Sequence, residues 1–168
     1  MIKPLVSILL ITYNQQEFIA QAIESVLMQN VDFPYEIIIG EDLGSDRTRA
    51  ICEDYAAKYD FIHVLPRTKN LGVTGNWCDC AQHAQGKYMM MLDGDDYWTA
   101  PNKMQMQVDF MELHEKCIIC HTDVQIFSMH SGKLRGSKKA NVPEGMIQHD
   151  VLAGREQMTV AQCAYVQN

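Results

Sequence analysis

Three aspartates in four positions, Asp93, Asp95 and Asp96, follow directly on an apolar run from Lys87 to Leu92. The nearest basic residues in sequence, Lys87 and Lys103, lie across that run and a loop, so mutual repulsion among the carboxylates persists more readily where a cation occupies the site. Oxygen-only ligands on a short loop suit a hard ion such as Mg²⁺ or Mn²⁺, which keeps several waters and bridges to the phosphates of a ligand. A second pair, Glu41 and Asp42, closes another apolar run, Tyr35 to Gly40. A carboxylate there can accept hydrogen bonds from a ribose hydroxyl or the N–H of a base. The plainer alternatives are solvated loop acids, or acids that lead into a helix beginning near Pro101. For the second pair, helix capping accounts for Ser45 or Asp46 but leaves Glu41 and Asp42 unexplained.

These clusters make a site only if the elements before them end at one edge. Leu5 to Ile11 is continuously apolar, as expected of a parallel strand covered on both faces, and runs into polar Thr12-Tyr13-Asn14. Phe18, Ile19, Ala22, Ile23, Val26 and Leu27 recur at three-to-four spacing, which predicts a helix from about Gln16 to Gln29. Tyr35 to Gly40 reads as the second strand, a helix carrying Ala50, Ile51 and Tyr55 follows, and Phe61 to Leu65 is the third strand. This β-α-β-α-β order builds a parallel sheet with right-handed crossovers. The loop Asn70 to Asn76 leads into a short helix through Cys80 and His83, and Lys87 to Leu92 is the fourth strand. A helix from Pro101 to about His114 places Met104, Val108 and Met111 on one face. Strand-like segments at Cys117 to His121, extended toward Phe127, and at Thr159 to Val166 flank a basic turn and a short helix ending near Gly154. In an open parallel sheet, ligands bind outside the carboxyl ends of the strands. Both acidic clusters stand at such ends.

Composition narrows the function. With 168 residues, 47% hydrophobic, the chain is one ordinary domain, 1–168, with a real core. No apolar stretch reaches the ~20 residues that span a bilayer, and the run near Met1 lacks a cleavage site. The cytoplasm is the expected compartment, with a place at the inner face of the membrane compatible. A formal charge of −7 excludes a protein that coats nucleic acid. The one basic cluster, Lys133, Arg135, Lys138 and Lys139 after Ser131-Gly132, reads as a solvated hairpin end rather than a headgroup contact. Six cysteines without a secretion signal read as reduced, buried thiols. Cys117-Ile118-Ile119-Cys120-His121 has the spacing of a haem attachment site, but its Ile-Ile centre reads as a buried strand, and no second Cys/His pair completes a zinc site. After the first strand there is neither G-x-G-x-x-G nor a Walker loop, which excludes those two modes of phosphate binding.

The stretches Val6 to Asn14, Ala22 to Gln29, Tyr35 to Asp42, Gly44 to Thr48, Asn70-Leu71-Gly72 and Gly86 to Trp98 together resemble glycosyltransferase family 2, in that family's order. The resemblance implies a Rossmann-like GT-A fold for nucleotide-diphospho-sugar transfer, a mainly parallel sheet with helices on both faces, here C-terminally truncated. It implies an inverting transferase that moves a sugar from a nucleoside diphosphate sugar, a UDP-sugar by expectation, to a glycan or lipid-linked acceptor hydroxyl. Polysaccharide or cell-envelope synthesis is the context the family implies, and a non-catalytic module that binds nucleotide sugars is the alternative. By resemblance the donor site comprises Thr12, Tyr13, Glu41, Asp42, Asn70, Asp93 and Asp95. Tyr13 borders the base, Asp42 bonds base or ribose, and Asp93 and Asp95 form a D-x-D motif holding Mn²⁺ or Mg²⁺. Glu41 and Ile11 stand where the family more often has Asp and Pro. The family's general base falls beyond Asn168, and Asp150 and Glu156 have no motif behind them. Peripheral membrane association is compatible with such a protein.

Overall fold

The computed structural model describes residues 3–122 and, beyond them, the strands Val124–Ser128, Lys133–Lys138 and Gln162–Tyr165. The elements run β1 (Val6–Thr12), α1 (Ile19–Leu27), β2 (Tyr35–Glu41), α2 (Thr48–Ala56), β3 (Ile62–Val64), α3 (Gly72–His83), β4 (Tyr88–Asp93), α4 (Lys103–Leu113), β5 (Ile119–His121), β6 (Val124–Ser128), β7 (Lys133–Lys138) and β8 (Gln162–Tyr165). A six-stranded sheet takes the order β3-β2-β1-β4-β8-β5, and β6 and β7 pair as a separate antiparallel ribbon. Strands β3, β2, β1 and β4 are parallel, whereas β8 runs antiparallel to both its neighbours.

The unbroken apolar run of β1 is explained by cover on both faces. Val6, Ile8 and Leu10 point into a core shared with Ile23 of α1, Cys52 of α2 and Met104 of α4. Leu9 and Ile11, on the opposite face, pack with Ile38, Cys80 and the partly buried Trp77 of α3. The period-2 alternation of a strand therefore feeds two cores, and polar residues are excluded from nearly every position. Burying each of these isoleucines and leucines contributes roughly 1.5–3 kcal/mol.

Two departures from the sequence reading concern the second half. The segment expected to run as one strand from Cys117 toward Phe127 breaks after His121, with β5 joining the main sheet and β6 the ribbon. Of the basic cluster, Lys133, Arg135 and Lys138 lie in β7. The helix expected to end near Gly154 lies outside the described residues. Helix α1 starts at Ile19, later than the expected Gln16, because the polar loop before it is held by the hydrogen bonds described below, while α2 carries Ala50, Ile51 and Tyr55 as expected. Among the described residues no helix is long and apolar enough to cross a membrane.

Close approach of α3 to β2 requires a glycine. A Cβ on Gly40 would overlap the Asn76 amide and come within 2.6 Å of Cys80 Sγ. Asn76 cannot yield easily, because its amide donates to the Gly40 carbonyl at 2.6 Å and its Oδ1 accepts from Arg67 at 2.7 Å. Gly40→Ala is expected to destabilise the chain by about 1–3 kcal/mol, the usual cost of overpacking. Urea denaturation measures this, and an unchanged midpoint would show that α3 can move off the sheet.

Candidate functional site

The parallel ladder brings the acidic strand ends together. Strand β1 lies between β2 and β4, with Thr12 opposite Glu41 and Ile11 opposite Asp93. Its last carbonyls hold the residues that follow: Asp42 N–H donates to Thr12 O at 3.0 Å, and Gly94 N–H donates to Ile11 O at 2.8 Å. Strands β2 and β4 are two strand spacings apart, about 10 Å. Asp42, Asp93 and the polar residues after β1 thus share one edge of the sheet.

The two acidic clusters occupy different environments there. Asp42 is buried, and its carboxylate accepts the backbone N–H groups of Leu71 and Gly72, each at 2.8 Å. Those are orphan donors at the start of α3, whose own N-cap residue Leu71 makes no side-chain cap. A carboxylate from 29 or 30 residues upstream takes that place, and its charge suits the helix N-terminus. Asn70 completes the joint: its amide donates to Asp42 O at 2.7 Å, and its Oδ1 accepts from Gly72 N–H at 3.0 Å.

Glu41 is wholly buried. Its Oε1 accepts Gly44 N–H at 2.7 Å, while Oε2 lies 3.7 Å from Arg49 Nη1, an ion pair too long for a hydrogen bond. The Glu41 side chain thereby closes the turn after β2, in which Leu43 is forced to φ 59°. That left-handed conformation costs a leucine of order 1–3 kcal/mol. Asn14, at φ 52°, braces the same turn by accepting Ser45 N–H at 2.7 Å. Asp46 accepts from Gln16 N–H and Thr48 N–H, so the loops after β1 and β2 are laced into one unit.

Asp93, Asp95 and Asp96 are exposed, and no ion pair or hydrogen bond to their carboxylates occurs among the described residues. The Asp93 carboxylate is accessible to solvent yet flanked by enough protein to lose part of its hydration. That burial, followed by the charges of Asp96 and Asp95, pushes it up to about 6. Burial and then the Asp95 charge raise Asp96 as well. Asp96 is therefore electrostatically part of the cluster, although the D-x-D spacing alone singles out Asp93 and Asp95. Gly94 lets this loop lie over the loop after β1, because a Cβ there would stand 2.7 Å from Thr12 Oγ1.

Thr12 is buried and its hydroxyl donates to Gln15 Oε1 at 2.7 Å, whereas the Tyr13 ring is 52% exposed at the rim. Two supports were not legible in the sequence. Gln29, at the end of α1, accepts Met104 N–H at 3.0 Å and donates to Ala100 O at 2.8 Å, capping α4 and anchoring the segment after Asp96. The Arg67 guanidinium, almost wholly buried, pairs with Asp79 and Asn76 beneath the start of α3. Neither residue has a local signal, since their partners come from distant elements or the next helix.

Among the described residues no group of three or more His, Cys, Asp or Glu side chains is arranged to hold a metal ion. The exposed, unpartnered aspartates still fit a cation of the Mg²⁺ or Mn²⁺ type, which uses one or two carboxylates and completes its shell with water and ligand phosphates. Asp93 and Asp95 would be its protein ligands.

Comparison with known proteins assigns this fold and its acidic edge to a family. The profile described as Glycosyl transferase family 2 matches residues 7–163. The chain belongs to that family. A Bacillus subtilis protein, TuaG, named as a teichuronic acid biosynthesis glycosyltransferase, is 31% identical over 150 residues, 89% of this chain and 58% of its own length. The structure of S. aureus TarS 1–349 in complex with UDP superimposes with a TM-score of 0.60 at 25% identity, over 68% of this chain and 33% of TarS. The mannosyltransferase PcManGT from Pyrobaculum calidifontis, in complex with GDP-Man and Mn²⁺, gives 0.62 at 19% identity, over 70% and 34%. The fold is that of GT-A glycosyltransferases. The chain spans about a third to three fifths of the length of the curated relatives it matches.

Asp42→Ala should cost about 1–2 kcal/mol by uncapping α3, and Asp42→Asn less, since one acceptor oxygen remains. Paired urea titrations measure both, and equal stability of all three proteins would remove Asp42 from the capping role. Asp93 gives a pH signature. Because folding raises its pKa, its proton favours the folded state, and that contribution is lost as pH rises from the unfolded value near 4 through about 6. In EDTA, thermal midpoints of Asp93→Asn should gain on the unaltered protein between pH 4 and 7. A constant difference across that range would contradict the shift.

Proposed function

We propose that the chain is the donor-binding part of an inverting glycosyltransferase that uses a nucleoside diphosphate sugar, a UDP-sugar in particular, in polysaccharide or cell-envelope glycan synthesis. The observation that carries this reading is the pairing of Thr12 and Ile11 of β1 with Glu41 and Asp93 on either side, which aligns two acidic strand ends at one edge. Family membership and the UDP seen in the structurally similar TarS support it.

On this reading the exposed Tyr13 ring borders the base, and Asp42, with Asn70 beside it, lines the nucleoside side of the edge. Each Asp42 oxygen already accepts one N–H and keeps a second lone pair for a ribose hydroxyl or base N–H. Thr12 and Glu41 act from behind, holding the loops that present these groups. Asp93 and Asp95 would hold a divalent ion, and Asp96 adds to the negative field that would favour it. When bound, the ion would supply charge stabilisation to the departing diphosphate. The acceptor oxygen attacks the anomeric carbon on the side opposite the diphosphate, the bond from that carbon to the phosphate oxygen breaks, and configuration inverts. The acceptor's proton passes to a general base that we assign to none of the residues above.

Calorimetric titration with UDP tests the reading. With Mn²⁺ present, binding is expected at a single site. It should weaken at least ten-fold in EDTA or in Asp95→Ala. Equal UDP affinity in all three conditions would refute the metal-dependent donor site. If binding holds but the relatives' full length proves unable to transfer a sugar, the domain is a nucleotide-sugar-binding module instead.

A further inference from the structure

Three cysteines, Cys117, Cys120 and Cys163, take no part in the site above, and the sheet brings two of them together on the far side of β4. Cys120 lies in β5 and Cys163 in β8, and the antiparallel register sets them directly opposite each other, between the pairs Ile119–Ala164 and His121–Gln162. In such pairs the Cα atoms are about 4.5–5.5 Å apart, inside the ~4.4–6.8 Å that disulfides span. Strand spacing in sequence conceals this, because the two residues are far apart along the chain and only Cys117-x-x-Cys120 is visible as a motif. Cys117 stands before the strand, and its thiol donates to the Ile119 carbonyl at 3.1 Å, which ties it to its own backbone. Cys120 Sγ instead faces α4, accepting from Gln107 Nε2 at 3.5 Å.

We propose that Cys120 and Cys163 are a reversible oxidation site, forming a cross-strand disulfide that joins β5 to β8. In that step the two S–H bonds break and one S–S bond forms between the Sγ atoms. The two electrons and two protons pass to a low-molecular-weight disulfide, whose S–S bond breaks to give two thiols. The bond would close a loop of about 40 residues, long enough to stabilise the folded chain by restricting the unfolded one. It would also fix β8 between β5 and β4, since Cys163 is opposite Met90 and β4 ends at Asp93. Cysteines elsewhere compete poorly: Cys52 and Cys80 are buried, and the exposed Cys78 lies on α3, across the sheet order from β5.

The purified chain is to be equilibrated across ratios of glutathione to glutathione disulfide, alkylated, digested without reduction and mapped by mass spectrometry. A peptide linking Cys120 to Cys163 is expected, with two fewer titratable thiols than the reduced protein, both restored by dithiothreitol, and a thermal midpoint several degrees higher when oxidised. Cys163→Ala should lose the link and the shift, while Cys117→Ser keeps both. Mapping of the unaltered chain decides the matter even if Cys163→Ala folds poorly. The proposal fails if Cys120 stays alkylatable at fully oxidising ratios, if the link joins Cys117 to Cys120, or if Cys78 takes up glutathione and no internal link forms.

Discussion

The hydrogen-bonded ladder β2-β1-β4 is the constraint on which the candidate site rests. Parallel pairing has a fixed register once both faces of a strand are buried, because a slip of one residue would exchange the two faces and drive apolar side chains into the wrong core. In β1 that penalty is severe: Ile8 and Leu10 fill one core while Leu9 and Ile11 fill the other. The register in turn dictates that Thr12 meets Glu41 and Ile11 meets Asp93. The acidic residues therefore reach a common edge through packing deep in the sheet, without any attraction among themselves. Within the exposed cluster, burial first and then the charges of Asp96 and Asp95 push the Asp93 carboxyl up.

Carboxylates at this edge divide by what they touch. Glu41 and Asp42 are buried and accept backbone N–H groups, so they shape the chain: one closes the turn after β2 through Oε1, the other starts α3. Asp93, Asp95 and Asp96 are exposed and lack such donors. The buried pair is thereby suited to hold a surface in place, and the exposed group to meet a cation or the polar parts of a ligand. On the proposed function Asp42 would span both roles, since accepting one N–H at each oxygen fixes the carboxylate and leaves each oxygen a second lone pair. A rigidly held acceptor is more selective than a mobile one, because a ligand must match its position without reorganisation.

The parts of this arrangement that were legible in the sequence are those with a local signal. The continuous apolar runs of β1 and β2 announce strands covered on both sides, and the aspartates stand immediately after such runs. The role of Glu41 was not legible, for its partners, Gly44 and Arg49, read as turn and helix residues of no special character. Gln29 resembles any polar residue near a helix end, and its capping of α4 depends on a contact across 75 positions. The break between β5 and β6 escaped notice because a run of strand-forming residues does not reveal which sheet each part joins. Asp96 is set apart from Asp95 by nothing in the spacing, and only the spatial field at Asp93 shows its influence.

The same field bears on how a metal and a nucleotide would arrive on the proposed function. No three metal-binding side chains converge among the described residues, so the protein alone offers a divalent ion an incomplete shell. The phosphates of a donor offer the remaining oxygens but carry like charge to the aspartates, which oppose them until a cation intervenes. Each of the two therefore improves the site for the other, and linkage makes that improvement equal in both directions. Binding by such an edge would be cooperative between ion and diphosphate. Discrimination would favour ligands that bring a diphosphate over free nucleosides, which reach Tyr13 and Asp42 but offer the cation nothing.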